Sequence, residues 1–271
     1  MPELPEVQTV LDTLRYQIKD LEITDINVIY KPIVAANMDD FMKLKGQHFR
    51  DFKRRGKYLI FVMDDVILLS HLRMEGKYFL MDYGEPIGKH QHVIFKLNNG
   101  KELRYNDVRK FGRMELLPLD YDLSKLKGLG PEPFSDEFSP AYVKAFLHKQ
   151  NKPIKEVLLN QSFVAGIGNI YADEICSAIK INPTTKASAL NDEDIANLIN
   201  STRQILNKAI MAGGTTIRSY TSSLGVSGRF QLDLRVHTLK KCPLCNSDIV
   251  KIRVGGRGTY YCPLCQKERS Q

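Results

Sequence analysis

The chain has 271 residues, of which 43% are hydrophobic and 26% charged. That balance excludes an intrinsically disordered protein, and the longest apolar runs fall well short of the roughly 20 residues of a membrane-spanning helix. Lysine and arginine number 39 against 31 aspartates and glutamates, a formal charge of +8 with pI about 9.1, which points to a polyanionic partner, nucleic acid before membrane.

The length predicts two domains with a small appendage. In chain order, Leu4, Val7, Val10, Leu11, Leu14 and Ile18 recur at three- and four-residue steps, the pattern of an amphipathic helix. Pro5 suits its first turn, and Glu3 and Glu6 suit the positive end of its dipole. From about 21 to 118 the period changes. LEITDINVIY, KYLIFVM, VILLSHL, HVIFKL and RMELL read as short strands separated by turn signals such as Asn98-Asn99-Gly100. Several short strands at close spacing predict a two-sheet sandwich carrying the N-terminal helix. Gly128, Gly130, Pro131 and Pro133 mark a linker over 121–135. Helical spacing follows in SPAYVKAFLHK, KPIKEVLLN, IGNIYADEICSAIK and DEDIANLINSTRQILNKAIM, ending at Gly213-Gly214. Residues 215–230 are polar and glycine-punctuated and read as a loop. The expected division is 1–120, 121–135, 136–234 and 235–271. The N-terminus lacks a basic-then-apolar signal pattern, so the expected location is cytoplasmic.

The sharpest pattern is Cys242-Pro-Leu-Cys245, sixteen residues, then Cys262-Pro-Leu-Cys265. Two C-x-x-C pairs at this separation make a four-thiolate tetrahedral zinc site. Full ligation leaves no open position on the metal, so one structural zinc ion is the expected cofactor. The segment between the pairs reads as a hairpin with a Gly-rich tip bearing Arg257. From Arg235 onward eight Lys/Arg stand against Asp248 and Glu268, a positive module. Cys176 lies in an apolar helix and reads as a packed thiol.

MPELPEV raises a chemical question. Methionine before proline is normally trimmed, which would leave Pro2 with a free secondary amine. Such an amine attacks an aldehyde-like carbon to give an iminium ion, an electron sink. Its reference pKa lies well below that of lysine, so more of it is neutral near pH 7. Glu3 and Glu6 are then candidates for proton transfer. From these residues alone, a plain helix start with dipole-matched acids is the competing explanation.

MPELPEV at the N-terminus, RRGKY at 54–58, KHQH at 89–92, DVRKFG at 107–112, GIGNIYADE at 166–174, GGTT at 213–216 and GRGTYYCPLCQ at 256–266 occur in this order. Together they resemble the bacterial formamidopyrimidine-DNA glycosylase family over nearly the whole chain. The resemblance implies an α+β multidomain fold: a β-sandwich, a helix-two-turns-helix domain and a zinc ribbon. It implies a monomeric enzyme that excises oxidised purines from double-stranded DNA and then nicks the abasic site. Pro2 would be the nucleophile at C1′ and Glu3 the acid/base. Lys57 would contact a phosphate beside the target sugar, and Arg257 would clamp the backbone and assist the final elimination. His90, Lys155 and Asn169 would grip the backbone; Asn169 would otherwise be an ordinary helix cap. His90 and His92, two apart, are expected on one sheet face. Base extrusion leaves a hole in the duplex. Met74, Arg109 and Phe111 would fill it, Arg109 bonding the orphaned cytosine. Glu6, Thr216, Arg218 and Tyr220 would read the lesion, the last three in a loop over 215–226.

Two other readings stay open on sequence: a non-catalytic zinc-ribbon DNA-binding protein, and an endonuclease VIII-like glycosylase for oxidised pyrimidines. The first leaves MPELPEV without a purpose. The second lacks the Met74, Arg109 and Phe111 set at the matching positions.

Overall fold

The computed structural model describes residues 1–215 and 229–269. The chain forms two compact units: Met1–Leu123 with the segment that starts at Ala212, and Ser124–Met211 with the chain from Phe230 onward.

In the first unit, helix α1 (Leu4–Ile18) precedes β1 (Ile23–Val28), a short α2 (Met38–Met42), and then β2 (Asp51–Arg55), β3 (Tyr58–Val62), β4 (Val66–His71), β5 (Lys77–Asp82), β6 (Gln91–Leu97), β7 (Lys101–Asn106) and β8 (Arg113–Pro118). Two antiparallel four-stranded sheets result, ordered β1-β6-β7-β5 and β2-β3-β4-β8. Strands β2, β5 and β7 escaped the sequence patterns because DFKRR, KYFLMD and KELRYN carry many charged side chains. Between the sheets, Phe49, Phe52, Phe61, Phe95, Tyr78 and Tyr105 pack with Val7, Val10, Leu11, Leu14 and Ile18 of α1. Fully burying each such side chain is worth about 1.5–3 kcal/mol, and that load fixes α1 and hence the position of the residues just before it.

In the second unit, α3 (Pro140–Leu147), α4 (Ile154–Leu159), α5 (Asn169–Ala178) and α6 (Asp192–Met211) pack together, and β9 (Val250–Val254) and β10 (Arg257–Tyr261) form an antiparallel hairpin. The hairpin is not a free appendage. Strand β10 packs on α5, and the chain beyond the last cysteine pairs with Lys180 and Asn182 through Lys267.

Candidate functional site

Helix α1 begins at Leu4 with Pro5 in its first turn, and Glu3 is the N-cap. Pro2, Glu3 and Glu6 are all buried. Glu6 works as a strut: Oε2 accepts the Glu3 N–H at 2.9 Å, and Oε1 accepts the Thr215 N–H at 2.8 Å and its hydroxyl at 3.1 Å. Gly214 has φ +80°, and a Cβ there would press on the Glu6 carboxylate at 2.9 Å, so glycine lets Thr215 approach. The terminal amine, carried by Met1, is pushed below its usual pKa by burial; the charge of Lys57 acts in the same direction, while Glu3, Glu6 and Glu75 oppose it. Amine, carboxylates and ammonium therefore share one electrostatic environment.

Lys57 occupies the second position of the two-residue loop between β2 and β3, not the strand itself. The first position, Gly56, has φ 55°, the left-handed conformation such a loop requires. Arg54 braces this loop against α1, donating to Gly56 O at 3.0 Å and to Gln8 Oε1 at 2.9 Å. Lys57 is only 6% exposed. His71, at the end of β4, lies across the sheet from Tyr58. Burial, and then the charges of Arg73 and Lys57, push its pKa down to about 3. Nδ1 accepts the Arg73 N–H at 2.9 Å, so the neutral ring carries its proton on Nε2 and is a donor. His71 is not among the residues that the sequence singles out; the signal it offers is a lone histidine near the end of the apolar strand VILLSHL, which follows KYLIFVM in the chain.

Met74 lies on the loop between β4 and β5, and Arg109 and Phe111 on the loop between β7 and β8. Phe111 is 49% exposed and the Arg109 guanidinium stacks over its ring at 4.8 Å. Asp107, completely buried, ties this loop down by accepting the Arg109 N–H at 3.0 Å and the Gly112 N–H at 2.8 Å. His90 stands in the turn before β6, and the ladder shifts register between Gln91 and Val93. The shared-face expectation for the two histidines therefore fails: His92 is buried with Nε2 2.8 Å from Asp107 O, while His90 is half-buried.

In the second unit, Lys155 departs from the expected surface grip. It is 0% exposed, its ammonium 2.7 Å from Asp173 Oδ1, donating to Thr259 Oγ1 at 2.8 Å and Gly258 O at 3.1 Å. The other Asp173 oxygen receives His237 Nδ1 at 2.7 Å and the Tyr260 N–H at 3.2 Å. Glu174 accepts three backbone N–H groups, from Arg235, Val236 and His237. The acidic pair of GIGNIYADE thus fastens the ribbon to α5. Gly168 caps α5, so the Asn169 side chain is not used as a cap; its Nδ2 donates to Gly258 O at 3.0 Å. Lys155 and Asn169 converge on the carbonyl next to Arg257, which is itself exposed at the hairpin tip.

The Cys242, Cys245, Cys262 and Cys265 sulfurs all lie within 4.8 Å of one another, with pairs at 3.9 and 3.5 Å. A tetrahedral zinc with Zn–S of about 2.3 Å sets its sulfurs about 3.8 Å apart, so the donor set fits one structural zinc ion. Ser247 Oγ lies 3.0 and 3.1 Å from the Cys245 and Cys262 sulfurs, a hydroxyl placed to donate to thiolate. Thr216, Arg218 and Tyr220 lie outside the described residues. Among the described residues no helix is long and apolar enough to cross a membrane.

These features define a nucleic-acid-processing class: a basic chain with a β-sandwich whose Pro2 is buried beside the carboxylates of Glu3 and Glu6, and a helical unit bearing a four-cysteine ribbon. Family patterns agree segment by segment. Residues 1–114 match the formamidopyrimidine-DNA glycosylase N-terminal domain, 129–221 its H2TH domain, and 240–267 the zinc finger found in FPG and IleRS. Formamidopyrimidine-DNA glycosylases of Oceanobacillus iheyensis and Bacillus licheniformis are 43% and 45% identical, each over 99% of this chain and 99% and 100% of their own. The Lactococcus lactis protein Fpg (MutM), solved in complex with N7-benzyl-Fapy-dG-containing DNA, superposes with TM-score 0.92 at 43% identity, covering 98% of this chain and 99% of that one. A Lactococcus lactis Fpg complex with abasic-site DNA gives 0.92 at 42% identity over 98% and 100%. The chain belongs to the formamidopyrimidine-DNA glycosylase family, and is a DNA repair glycosylase with a structural zinc finger.

Proposed function

We propose that the protein excises oxidised purines, 8-oxoguanine and formamidopyrimidines, from double-stranded DNA through a Schiff base on Pro2, then cleaves the resulting abasic site. The observation that carries this is the start of α1, where Pro2, Glu3 and Glu6 are buried together, Glu6 is fixed to the Glu3 and Thr215 N–H groups, and the terminal amine feels the charges of Glu3, Glu6 and Lys57. Removal of Met1 would give Pro2 the terminal nitrogen in that setting. The neutral amine attacks C1′ and the glycosidic bond breaks, the base leaving with its electron pair and taking up a proton. Glu3 protonates the sugar oxygen, the ring opens, and an iminium ion joins Pro2 to C1′. Its pull on electrons acidifies the C2′ proton. Loss of that proton expels the 3′ phosphate, and a second proton loss expels the 5′ phosphate.

Lys57 and His71 supply donors to a phosphate near the reacting sugar, and Arg257, Asn169 and His90 add salt-dependent grip. Lys155 contributes from beneath, through Gly258. Met74, Arg109 and Phe111 fill the space left by the extruded nucleotide. Glu6 holds Thr215 where the lesion-reading segment begins; Thr216, Arg218 and Tyr220 are assigned to that segment. The functional division follows as a catalytic sandwich over 1–120, a linker over 121–135, a helix-two-turns-helix domain over 136–234 and a finger over 235–271. The work is that of a single chain in the bacterial cytoplasm, on nucleoid DNA or its abasic sites.

Borohydride trapping tests this on two duplexes, one with 8-oxoguanine opposite cytosine and one with an oxidised thymine. A covalent adduct forms on the first. An adduct on the pyrimidine duplex alone would place the protein in the endonuclease VIII-like branch, and no adduct on any lesion would remove the Schiff base.

A further inference from the structure

Two loops of the first unit carry the three residues assigned to the vacated space, and both rest on one side chain. Tyr105, 0% exposed on β7, points its hydroxyl between them. A Cβ on Gly76 would collide with that oxygen and lie 2.6 Å from Leu72 O, and a Cβ on Gly112 would collide with the same oxygen. Glycine at both ends is therefore required by contact with Tyr105; neither has positive φ. The ring is fixed from behind by Tyr78, 5.2 Å between centroids, whose own hydroxyl is 2.7 Å from Ser70 Oγ. The Tyr105 hydroxyl also reaches Asp107 Oδ2 at 3.4 Å, the carboxylate that accepts the Gly112 and Arg109 N–H groups.

Each loop holds one non-glycine residue in the left-handed region: Arg73, φ 53°, just before Met74, and Lys110, φ 59°, between Arg109 and Phe111. Such residues persist where the surroundings over-determine them. Here the fixing contacts are His71 Nδ1 on the Arg73 N–H, Leu72 O on the Gly76 N–H at 2.9 Å, and Asp107 on the second loop. Tyr105 is the contact the two loops share.

We propose that Tyr105 is a positioning residue that locks loops 72–76 and 107–112 into one preformed wedge, so that Met74, Arg109 and Phe111 enter the duplex together. The proposal rests on the void-filling assignment of those three residues. It predicts that Tyr105→Phe, which keeps the ring and deletes the hydroxyl shared by the loops, uncouples them without touching the reacting atoms.

The test uses full-length protein and a duplex with 2-aminopurine beside 8-oxoguanine, whose fluorescence rises as the stack opens. Tyr105→Phe should slow that rise and base excision about tenfold. Cleavage of a single-stranded abasic oligonucleotide, which needs no extrusion, should stay within about twofold, and this arm also shows that the variant is folded. Phe111→Ala should slow extrusion in the wild type but cost much less in the Tyr105→Phe background. Equal losses on both substrates, or additive effects of the two substitutions, would overturn the coupling while leaving the wedge intact. If Phe111→Ala leaves wild-type extrusion unchanged, the void-filling assignment fails and the coupling fails with it.

Discussion

The N-terminal site and the tip of the ribbon each present one nitrogen group on a stiff support, an amine in the first and a guanidinium in the second, but they are stiffened by different means. Around the amine, the support is an apolar core of two sheets and a helix, and the polar residues need only short hydrogen bonds such as Glu6 to Glu3 and Thr215. Around Arg257 there is little apolar mass: Val236, Cys242 and Cys262 are the buried residues of the ribbon's own cluster. Zinc, a fully buried ammonium–carboxylate pair and three N–H bonds to Glu174 replace it. A small element can be held rigidly without a core, at the cost of depending on a few irreplaceable groups.

The largest effect should follow zinc removal, because structural zinc contributes roughly 10–16 kcal/mol in isolated finger peptides. Chelation is expected to unfold the ribbon and weaken DNA binding while the sandwich persists. Amide spectra report the first and fluorescence anisotropy the second; unchanged DNA affinity in metal-free protein would contradict the dependence on metal.

Next comes Lys155→Met, which strands Asp173 in the interior and should cost about 3–5 kcal/mol in urea unfolding. A loss near that of an exposed ion pair, below about 1 kcal/mol, would mean that the pair does not hold the second unit together.

An effect of similar size, confined to acid pH, is expected from His71. Its folded pKa of about 3 lies below the usual value near 6.5, so between those values the unfolded chain binds the proton and the folded chain does not. The stabilisation is complete above about pH 6.5 and drains as pH falls towards 3, a loss on the order of a few kcal/mol. His71→Gln should flatten the acid limb of a stability–pH curve; superimposable limbs in the two proteins would refute the buried neutral imidazole. The smallest is Ser247→Ala, which removes the hydroxyl beside two thiolates and should lower zinc affinity about tenfold in a competition titration. An unchanged affinity would show that this hydroxyl does not tune the metal site.

The same contrast explains what could be read from sequence. Helix α1, the sandwich and the four cysteines were legible because each rests on a local repeat or spacing. Lys155 was not, because KPIKEVLLN looks like an amphipathic surface helix and its partners Asp173, Gly258 and Thr259 are far along the chain. Asp173 and Glu174 lie within GIGNIYADE but show no role there, since a carboxylate that binds backbone N–H groups has no partner signature in sequence. Alternation misplaced His90 relative to His92 because a bulge interrupts the strand there. Tyr105 reads as an ordinary strand aromatic; only the two glycines against its hydroxyl reveal what it separates.

All of the proposed chemistry turns on the proline nitrogen, exposed by loss of Met1, bonding to deoxyribose. A borohydride-reduced protein–oligonucleotide conjugate, digested and sequenced by mass spectrometry, addresses it directly. The sugar remnant should be found on the leading peptide at Pro2; a remnant on Lys57 or any other internal lysine would mean that another nitrogen is the nucleophile.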